Sequence, residues 1–131
     1  MHWLYQNSIV DILPEGAIGF IYEITYTDGT KYIGSKVAVS ERRIKPLKGM
    51  RVNAVRTKII ETKWKSYVGS SKLVAGLTIL EKRIIAFVST KRSLTYLEAK
   101  YLFCTGAIES NEYRNENILG KFFSNCNNGF M

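Results

Sequence analysis

Two tyrosines, Tyr22 and Tyr32, flank a turn signal and are the first candidates for chemistry. Around Tyr22, aromatic and β-branched side chains occupy alternate positions, and this alternation predicts a strand. Asp28-Gly29 is a preferred tight-turn dipeptide, because glycine adopts positive φ at no steric cost. A second strand over Thr30–Lys36 would therefore bring both phenols to one cleft. A phenol has an ordinary pKa of about 10, so one acting as a base needs nearby positive charge.

Glu98 is the second candidate, and it lies in the clearest helical stretch of the sequence, Ser93–Phe103. Apolar side chains recur there at helical spacing, and Gly106 is placed to end the helix. Thr95-x-x-Glu98 also has the sequence of a capping box, in which the glutamate bonds back to the cap residue. A purely structural role for Glu98 is thus one interpretation of the sequence.

The basic residues of the chain are concentrated in one block. Residues 31–65 hold eleven Lys or Arg against two Glu, a net charge of +9, whereas the rest of the chain has a net charge of −1. A solvated surface helix would normally mix signs, so a block of one sign indicates a polyanionic partner such as nucleic acid. Solubility alone, or an acidic protein partner, is the alternative.

Composition limits the remaining function classes. The chain has 131 residues, 46% of them hydrophobic, which predicts one domain over residues 1–131, with an N-terminal extension at 1–17 and a polar tail at 121–131. It has no apolar run of membrane-spanning length and no secretory signal, so a cytoplasmic location is expected.

Cys104 and Cys126 lack metal-type spacing and are predicted to be free thiols. His2, the single histidine, argues against zinc sites and His-based triads.

The remaining elements must position these side chains. A strand over Lys82–Ser89, apolar without interruption at its centre, is predicted to lie in the middle of the sheet. A short helical turn from Ser40, an amphipathic helix over residues 47–63 and a short helix over residues 70–77 would flank it. The predicted fold is therefore α+β, with a small three-stranded antiparallel sheet flanked by helices.

The hairpin resembles the two-part signature of the GIY-YIG nuclease family. Tyr32-Ile33-Gly34 matches the second triplet, and Phe20-Ile21-Tyr22 matches the first except that Phe20 stands where the family has glycine. Ten residues separate the two tyrosines, about the spacing that the family uses. The segments Lys45-Pro46-Leu47-Lys48-Gly49 and Trp64-x-x-Tyr67-x-Gly-Ser-Ser are similar to small bacteriophage-type members. The resemblance covers residues 18–120.

The resemblance implies specific site residues. A catalytic arginine follows the second triplet in this family, which points to Arg42, with Arg43 the alternative. The family also places a metal-binding glutamate on the helix after the third strand, where Glu98 lies, and an asparagine late in the chain, for which Asn115 is the candidate. Nucleic-acid contacts are expected from Arg43, Lys36, Lys45, Lys48, Trp64, Tyr67 and Asn115. The two aromatic residues among these could stack on bases, or could instead cover the edge of the core.

The function implied is a metal-dependent DNA endonuclease that hydrolyses phosphodiester bonds to 5′-phosphate and 3′-hydroxyl ends. Glu98 would hold one Mg²⁺ (or Mn²⁺), and Arg42 would bind the scissile phosphate. Tyr22 would act as the general base and Tyr32 would bond to water or phosphate, or the two roles would be exchanged.

The expected partner is double-stranded DNA, with no membrane, and a homodimer would allow cleavage of both strands. A non-catalytic nucleic-acid-binding module with the same fold is the alternative, and Phe20 is the feature that favours it. A protein-interaction domain whose basic block meets an acidic partner is a third hypothesis, which steep salt dependence of DNA binding would disfavour.

Overall fold

A five-stranded sheet organises the chain in the computed structural model, which describes residues 1–44, 48–49, 56–69 and 76–124, with the backbone alone for 42–44 and 56–57. The strand order is β2-β1-β7-β3-β4. These strands are β1 (Trp3–Tyr5), β2 (Ser8–Val10), β3 (Gly19–Tyr26), β4 (Lys31–Val37) and β7 (Ile79–Val88). Two smaller pairs are β5 (Val39–Ile44) with β6 (Arg56–Glu61), and β8 (Asn117–Ile118) with β9 (Phe122–Phe123).

The β3–β4 hairpin confirms the predicted pairing of the two tyrosine strands. Tyr22 lies opposite Gly34, and Ile24 lies opposite Tyr32. Gly29 has φ 87° at the turn, in the region that favours glycine. The Asp28 carboxylate accepts hydrogen bonds from the Thr30 backbone N–H and from its hydroxyl, which fixes the turn.

The expectation of a three-stranded antiparallel sheet is wrong in strand number and in direction. Residues 3–10, which the sequence pattern did not assign to the sheet, form the β1–β2 hairpin. Strand β1 pairs with β7 in parallel, with Trp3 opposite Lys82, whereas the other pairs of this sheet are antiparallel. The predicted central strand over 82–89 is confirmed as β7, between β1 and β3.

The helical turn predicted from Ser40 and the helix predicted through residues 56–61 are also wrong. Both segments are strands, and Ser40 lies opposite Ile60 in the antiparallel β5–β6 pair. The physical reason is that β-branched residues such as Val39, Ile59 and Ile60 suit a paired, pleated backbone. Residues 47 and 50–55 of the helix predicted over 47–63, and residues 70–75 of the short helix predicted over 70–77, lie outside the described residues.

The predicted helix is confirmed as α1, Lys91–Thr105. Its N-cap is Thr90, whose hydroxyl accepts from the Ser93 N–H at 3.1 Å, and Gly106 ends it with φ 62°. The alternative interpretation of Thr95 and Glu98 as a capping box is therefore wrong, because Thr95 lies in the second turn and its hydroxyl donates to the Lys91 carbonyl. No helix in the described ranges is both long enough and apolar enough to cross a membrane.

The two faces of the sheet carry separate hydrophobic clusters. One contains Tyr22 and the rings of Trp3, Phe20 and Trp64. The other contains Ile33 and the apolar side of α1. Because side chains alternate along a strand, the tyrosines and the helix approach β4 from opposite faces.

The outer edge of β4 is closed by the segment that follows α1. The Lys31 N–H donates to the Glu112 carbonyl, and the Arg114 N–H donates to the Lys31 carbonyl, both at 2.7 Å. Two residues further along, the Asn115 side chain bonds to both the N–H and the carbonyl of Ile33, at 3.0 and 2.7 Å. A side-chain amide thus continues the ladder that the backbone begins.

The short 3₁₀ turn Trp64–Ser66 is held against the sheet by two long side chains. The Trp3 indole N–H donates to the Trp64 carbonyl at 2.7 Å. The Lys82 ammonium donates to the Lys65 carbonyl at 3.2 Å and lies 4.3 Å from the centroid of the Trp3 ring. This turn leads directly into Tyr67, so these contacts position a residue of the candidate site.

Lys82 should give the protein a distinctive dependence of stability on pH. Burial lowers the pKa of its ammonium from 10.5 to about 8. Between these values the unfolded chain binds the proton and the folded chain does not, so the free energy of unfolding rises with pH, by at most about 1.4 kcal/mol per pH unit. We expect Lys82→Met to lose this rise while keeping the buried volume. Urea unfolding of wild type and of Lys82→Met at pH 7, 8, 9 and 10 measures the free energy of unfolding. If that free energy depends on pH in the same way in both proteins, the effect does not come from Lys82.

Candidate active site

Tyr22 and Tyr32 lie beside each other on neighbouring strands, as their spacing predicts. Their ring centroids lie 6.4 Å apart, with the planes inclined at 34°. The Tyr22 side chain extends across Gly34, where an added Cβ would lie 2.5 Å from the Tyr22 hydroxyl oxygen. Glycine at this position is therefore a steric requirement, because it leaves room for the Tyr22 hydroxyl over the edge strand.

Glu98 reaches the same strand from the opposite face. The Ser35 hydroxyl, on β4, donates a hydrogen bond to Glu98 Oε2 at 2.6 Å. Glu98 sits in the interior of α1, away from both caps, so its carboxylate has no capping duty. The side chain is half-buried and is oriented towards the tyrosine strand by Ser35.

A cavity of about 270 Å³ joins the two sets of groups. Tyr32 and Glu98 both line it, with the polar side chains of Thr95, Asn115 and Glu116 around them. The cavity lies where the edge of β4, the second turn of α1 and the segment before β8 meet. Phenol and carboxylate chemistry are thus brought together at the rim of the sheet.

A third phenol, from Tyr67, completes the aromatic group. The Tyr67 ring meets the Tyr22 ring edge to face, with centroids 5.9 Å apart. The Lys36 ammonium lies 4.4 Å from the centroid of the Tyr67 ring, a cation–π distance. Tyr67 and Lys36, both predicted to contact nucleic acid, therefore lie beside the tyrosine pair.

The environment of Tyr22 keeps its hydroxyl protonated. Only 2% of the residue is exposed. Burial raises the pKa of this phenol well above its ordinary value, and the neighbouring Tyr67 and Tyr32 phenols and the Glu98 carboxylate raise it further. At neutral pH Tyr22 is therefore suited to donate a hydrogen bond rather than to accept a proton.

Trp64, predicted either to stack on bases or to cover the core, lies in the core. It is fully buried, its ring contacts Phe20 edge to face, and its indole N–H donates to the Glu61 carboxylate. A ring without exposed surface offers no platform to a base, so the stacking prediction for Trp64 fails.

The departure from the family signature at Phe20 is accommodated by the same core. Phe20 is fully buried and also contacts Trp3 and Phe87 edge to face. At the neighbouring Gly19, an added Cβ would lie 2.6 Å from the Lys36 carbonyl oxygen. Gly19 thus allows the close approach of β3 and β4, and it lies one residue before the position at which the family signature has glycine.

The other predicted site residues are Arg42, Arg43, Lys45, Lys48 and Asn115. Arg42 and Arg43 lie in strand β5, and their side chains are outside the described part of the chain, as is all of Lys45. Lys48 is exposed in a turn. Asn115 lines the cavity, but it is buried and its amide bonds to Ile33, so its observed contacts are structural.

The donor atoms at the cavity suit a hard cation of low intrinsic affinity. Glu98 and Glu116 supply carboxylates, and Thr95 and Asn115 line the same space. Oxygen donors with room for retained water are what Mg²⁺ and Mn²⁺ prefer. Among the described residues there is no cluster of three or more His, Cys, Asp or Glu side chains that could hold a metal. A cation here would therefore be bound with help from a substrate phosphate.

Sequence reasoning missed Ser35, Glu116 and the Tyr22–Tyr67 contact. Ser35 follows the second signature triplet directly, and its strand parity differs from that of Tyr32, which places it on the helix face. That parity could have indicated a partner on α1. The Tyr22–Tyr67 contact joins positions distant in sequence, and no local pattern signals it.

Comparison with known families agrees with this geometry. The family model of the segE endonuclease GIY-YIG domain matches residues 3–118. Searches of curated proteins and of solved structures return no match. The matched range contains both tyrosine strands, α1 and the asparagine that closes β4.

Proposed function

The chain belongs to the GIY-YIG endonuclease family, and from this premise we propose that it is a metal-dependent endonuclease that cuts DNA. In this proposal it hydrolyses phosphodiester bonds of double-stranded DNA and leaves 5′-phosphate and 3′-hydroxyl ends. Family membership supports a nuclease and hence a nucleic-acid substrate. DNA as the substrate, the metal requirement and the cleavage products go beyond family membership and are proposed.

One observation carries the proposal. The Glu98 carboxylate, oriented by the Ser35 hydroxyl at 2.6 Å, lines the same cavity as the Tyr32 phenol. Neither a capping role nor a core role explains an acidic side chain at this place, because the helix is capped by Thr90 and the cavity is polar. A phosphate at the cavity mouth would meet the Glu98 carboxylate and the Tyr32 phenol together.

The structure favours exchanging the two tyrosine roles that the sequence left open. Tyr22 is buried with a raised pKa, so its hydroxyl stays protonated as a hydrogen-bond donor and is not suited to be the base. Tyr32 lines the cavity beside Glu98, and as a phenolate it could accept a proton from the attacking water, a form that requires positive charge from Arg42 and the cation. The Lys36 ammonium, which covers the Tyr67 ring, adds positive charge at that side of the tyrosine cluster.

Arg42 is proposed to bind the scissile phosphate, with Arg43 as the alternative. A guanidinium offers a planar fork of donors that matches two phosphate oxygens and keeps its charge at every working pH. Both arginines belong to the basic block of residues 31–65, whose net charge of +9 would draw the DNA backbone towards the site.

Glu98 is proposed to hold the cation, and the Ser35 hydroxyl would keep its carboxylate in place. A bound Mg²⁺ or Mn²⁺ would supply positive charge that stabilises the transition state at phosphorus and makes the attacking water more acidic. The protein's own groups would then orient the phosphate, exclude bulk water with the tyrosine cluster and take up the proton at Tyr32.

A plasmid assay tests this function directly. We expect supercoiled plasmid to become nicked circles in Mg²⁺ or Mn²⁺ and to stay intact in EDTA. Because DNA ligase joins only a 5′-phosphate to a 3′-hydroxyl, sealing of the nicks by ligase checks the products. DNA binding without cleavage in either metal would instead favour a non-catalytic nucleic-acid-binding module, and nicks that ligase cannot seal would overturn the proposed products.

A further inference from the structure

A backbone outlier lies at the rim of the cavity, in the turn between β8 and β9. Leu119 has φ 56° and the following Gly120 has φ 67°. The turn is closed by the Lys121 N–H, which donates to the Ile118 carbonyl at 3.0 Å, and by the Gly120 N–H, which donates to the Asn117 side chain at 2.9 Å. Two consecutive positive φ values normally select Asn, Asp or Gly, so leucine is costly at its position.

Packing does not explain this leucine. Leu119 is 58% exposed, whereas the adjacent Ile118 is 1% exposed and supplies the hydrophobic contact that holds the hairpin to the core. Leu119 nevertheless lines the same cavity as Glu98 and Tyr32. The chain therefore maintains an exposed apolar side chain, on a strained backbone, at the entrance to its polar site.

We propose that Leu119 is a wedge that inserts between base pairs of duplex DNA beside the scissile phosphate. Apolar side chains of this kind unstack a base step and bend the duplex, and leucine is among those commonly used. The occupant is DNA rather than a protein because the wedge shares its cavity with the carboxylate and phenol of the proposed phosphodiester chemistry. The exposed Lys121 beside it can bind the backbone. The inference rests on the proposed function.

The wedge would solve a geometric problem of the site. Glu98 and Tyr32 lie within a cavity and not on a flat surface, so the phosphate of a regular duplex must be displaced outwards to reach them. Unstacking one step lets the backbone bend towards the cavity mouth. Backbone strain tolerated at a functional position is consistent with such a role.

The test compares Leu119→Asn and Leu119→Gly with wild type on two substrates. One is an intact duplex, and the other is the same duplex with a two-nucleotide bulge at the cleavage position. Asn and Gly tolerate positive φ, so we expect both variants to melt at or above the wild-type temperature. We expect them to cut the intact duplex about ten-fold more slowly or worse and the bulged duplex at nearly the wild-type rate, because unstacking is already provided. Ile9→Ala is the matched control, since Ile9 is 59% exposed on β2, at the other edge of the sheet.

A second readout separates the wedge from the chemistry. In a Glu98→Ala background that does not cut, 2-aminopurine placed in the intact duplex should brighten at one step on protein binding. That signal should disappear when Leu119→Asn is added. Wild-type cleavage of the intact duplex by the Leu119 variants, or an equal loss on both substrates, would overturn the wedge. Failure of wild type to cut either substrate would overturn the proposed function, and an unchanged 2-aminopurine signal on binding would independently reject the wedge.

Discussion

Glu98→Ala should abolish cleavage and leave DNA binding intact. The carboxylate is the proposed holder of the cation and has no capping duty in α1. Losing charge stabilisation of roughly 4 kcal/mol in the transition state corresponds to a rate about 10³-fold lower. The basic block of residues 31–65 is unchanged, so affinity for duplex DNA should stay within about two-fold. Single-turnover cleavage and a gel-shift titration measure the two effects.

The matched control for this variant is Glu98→Gln. Glutamine keeps the length of the side chain and can still accept from Ser35, but it carries no charge. We expect it to cut almost as poorly as Glu98→Ala, because charge rather than shape is what the cation requires. Both variants should unfold at temperatures close to wild type. If either cuts at the wild-type rate in Mg²⁺, Glu98 is removed from the mechanism.

Trp64→Ala should produce the largest loss of stability of any single change considered in this protein. The ring is fully buried against Phe20, and its N–H bonds to Glu61. Truncating a buried tryptophan costs about 3–5 kcal/mol, because transfer energy is lost and a cavity remains. For a domain of this size the unfolding temperature should fall by roughly 10–20 °C. Thermal unfolding monitored by circular dichroism measures the change.

The same substitution distinguishes a core tryptophan from a base-stacking one. Measured well below its unfolding temperature, Trp64→Ala should bind DNA as wild type does, whereas loss of a stacking platform would weaken binding without destabilising the fold. Tyr96→Ala provides the comparison, since Tyr96 is 64% exposed on α1. Its effect on stability should stay within about 0.5 kcal/mol. A stable Trp64→Ala protein with poor DNA affinity would refute the core assignment.

Local sequence patterns were sufficient to predict the elements nearest the candidate active site. Alternation and Asp28-Gly29 were enough to predict the β3–β4 hairpin, and helical spacing ending at Gly106 was enough to predict α1. These signals work because turn residues and periodic apolar positions act over a few residues. Tyr22 and Tyr32 consequently lie together as their spacing required.

The parts of the fold that the sequence did not predict depend on pairing between segments that are distant along the chain. Strand β1 joins β7 across most of the chain, and Ser40 becomes a strand residue only because Ile60 lies opposite it. The surroundings of Trp64 suggested a binding surface, since cations flank it in sequence, yet its neighbours in space are Trp3 and Phe20. Burial is a property of the assembled fold, and composition around a residue does not determine it.

Four alternate positions along the outer side of β4 are each engaged in a different way. Lys31 bonds to backbone, Ile33 to the Asn115 amide, Ser35 to Glu98, and the Val37 carbonyl to the Thr62 hydroxyl. A strand at the margin of a sheet ordinarily invites addition of another chain and, at high concentration, fibrous aggregation. Here such addition would have to displace the segment that pairs with the backbone of Lys31 and Ile33, including the Asn115 amide. Self-association through this margin would therefore disturb Asn115, which lines the cavity, so we expect any functional second copy to bind elsewhere.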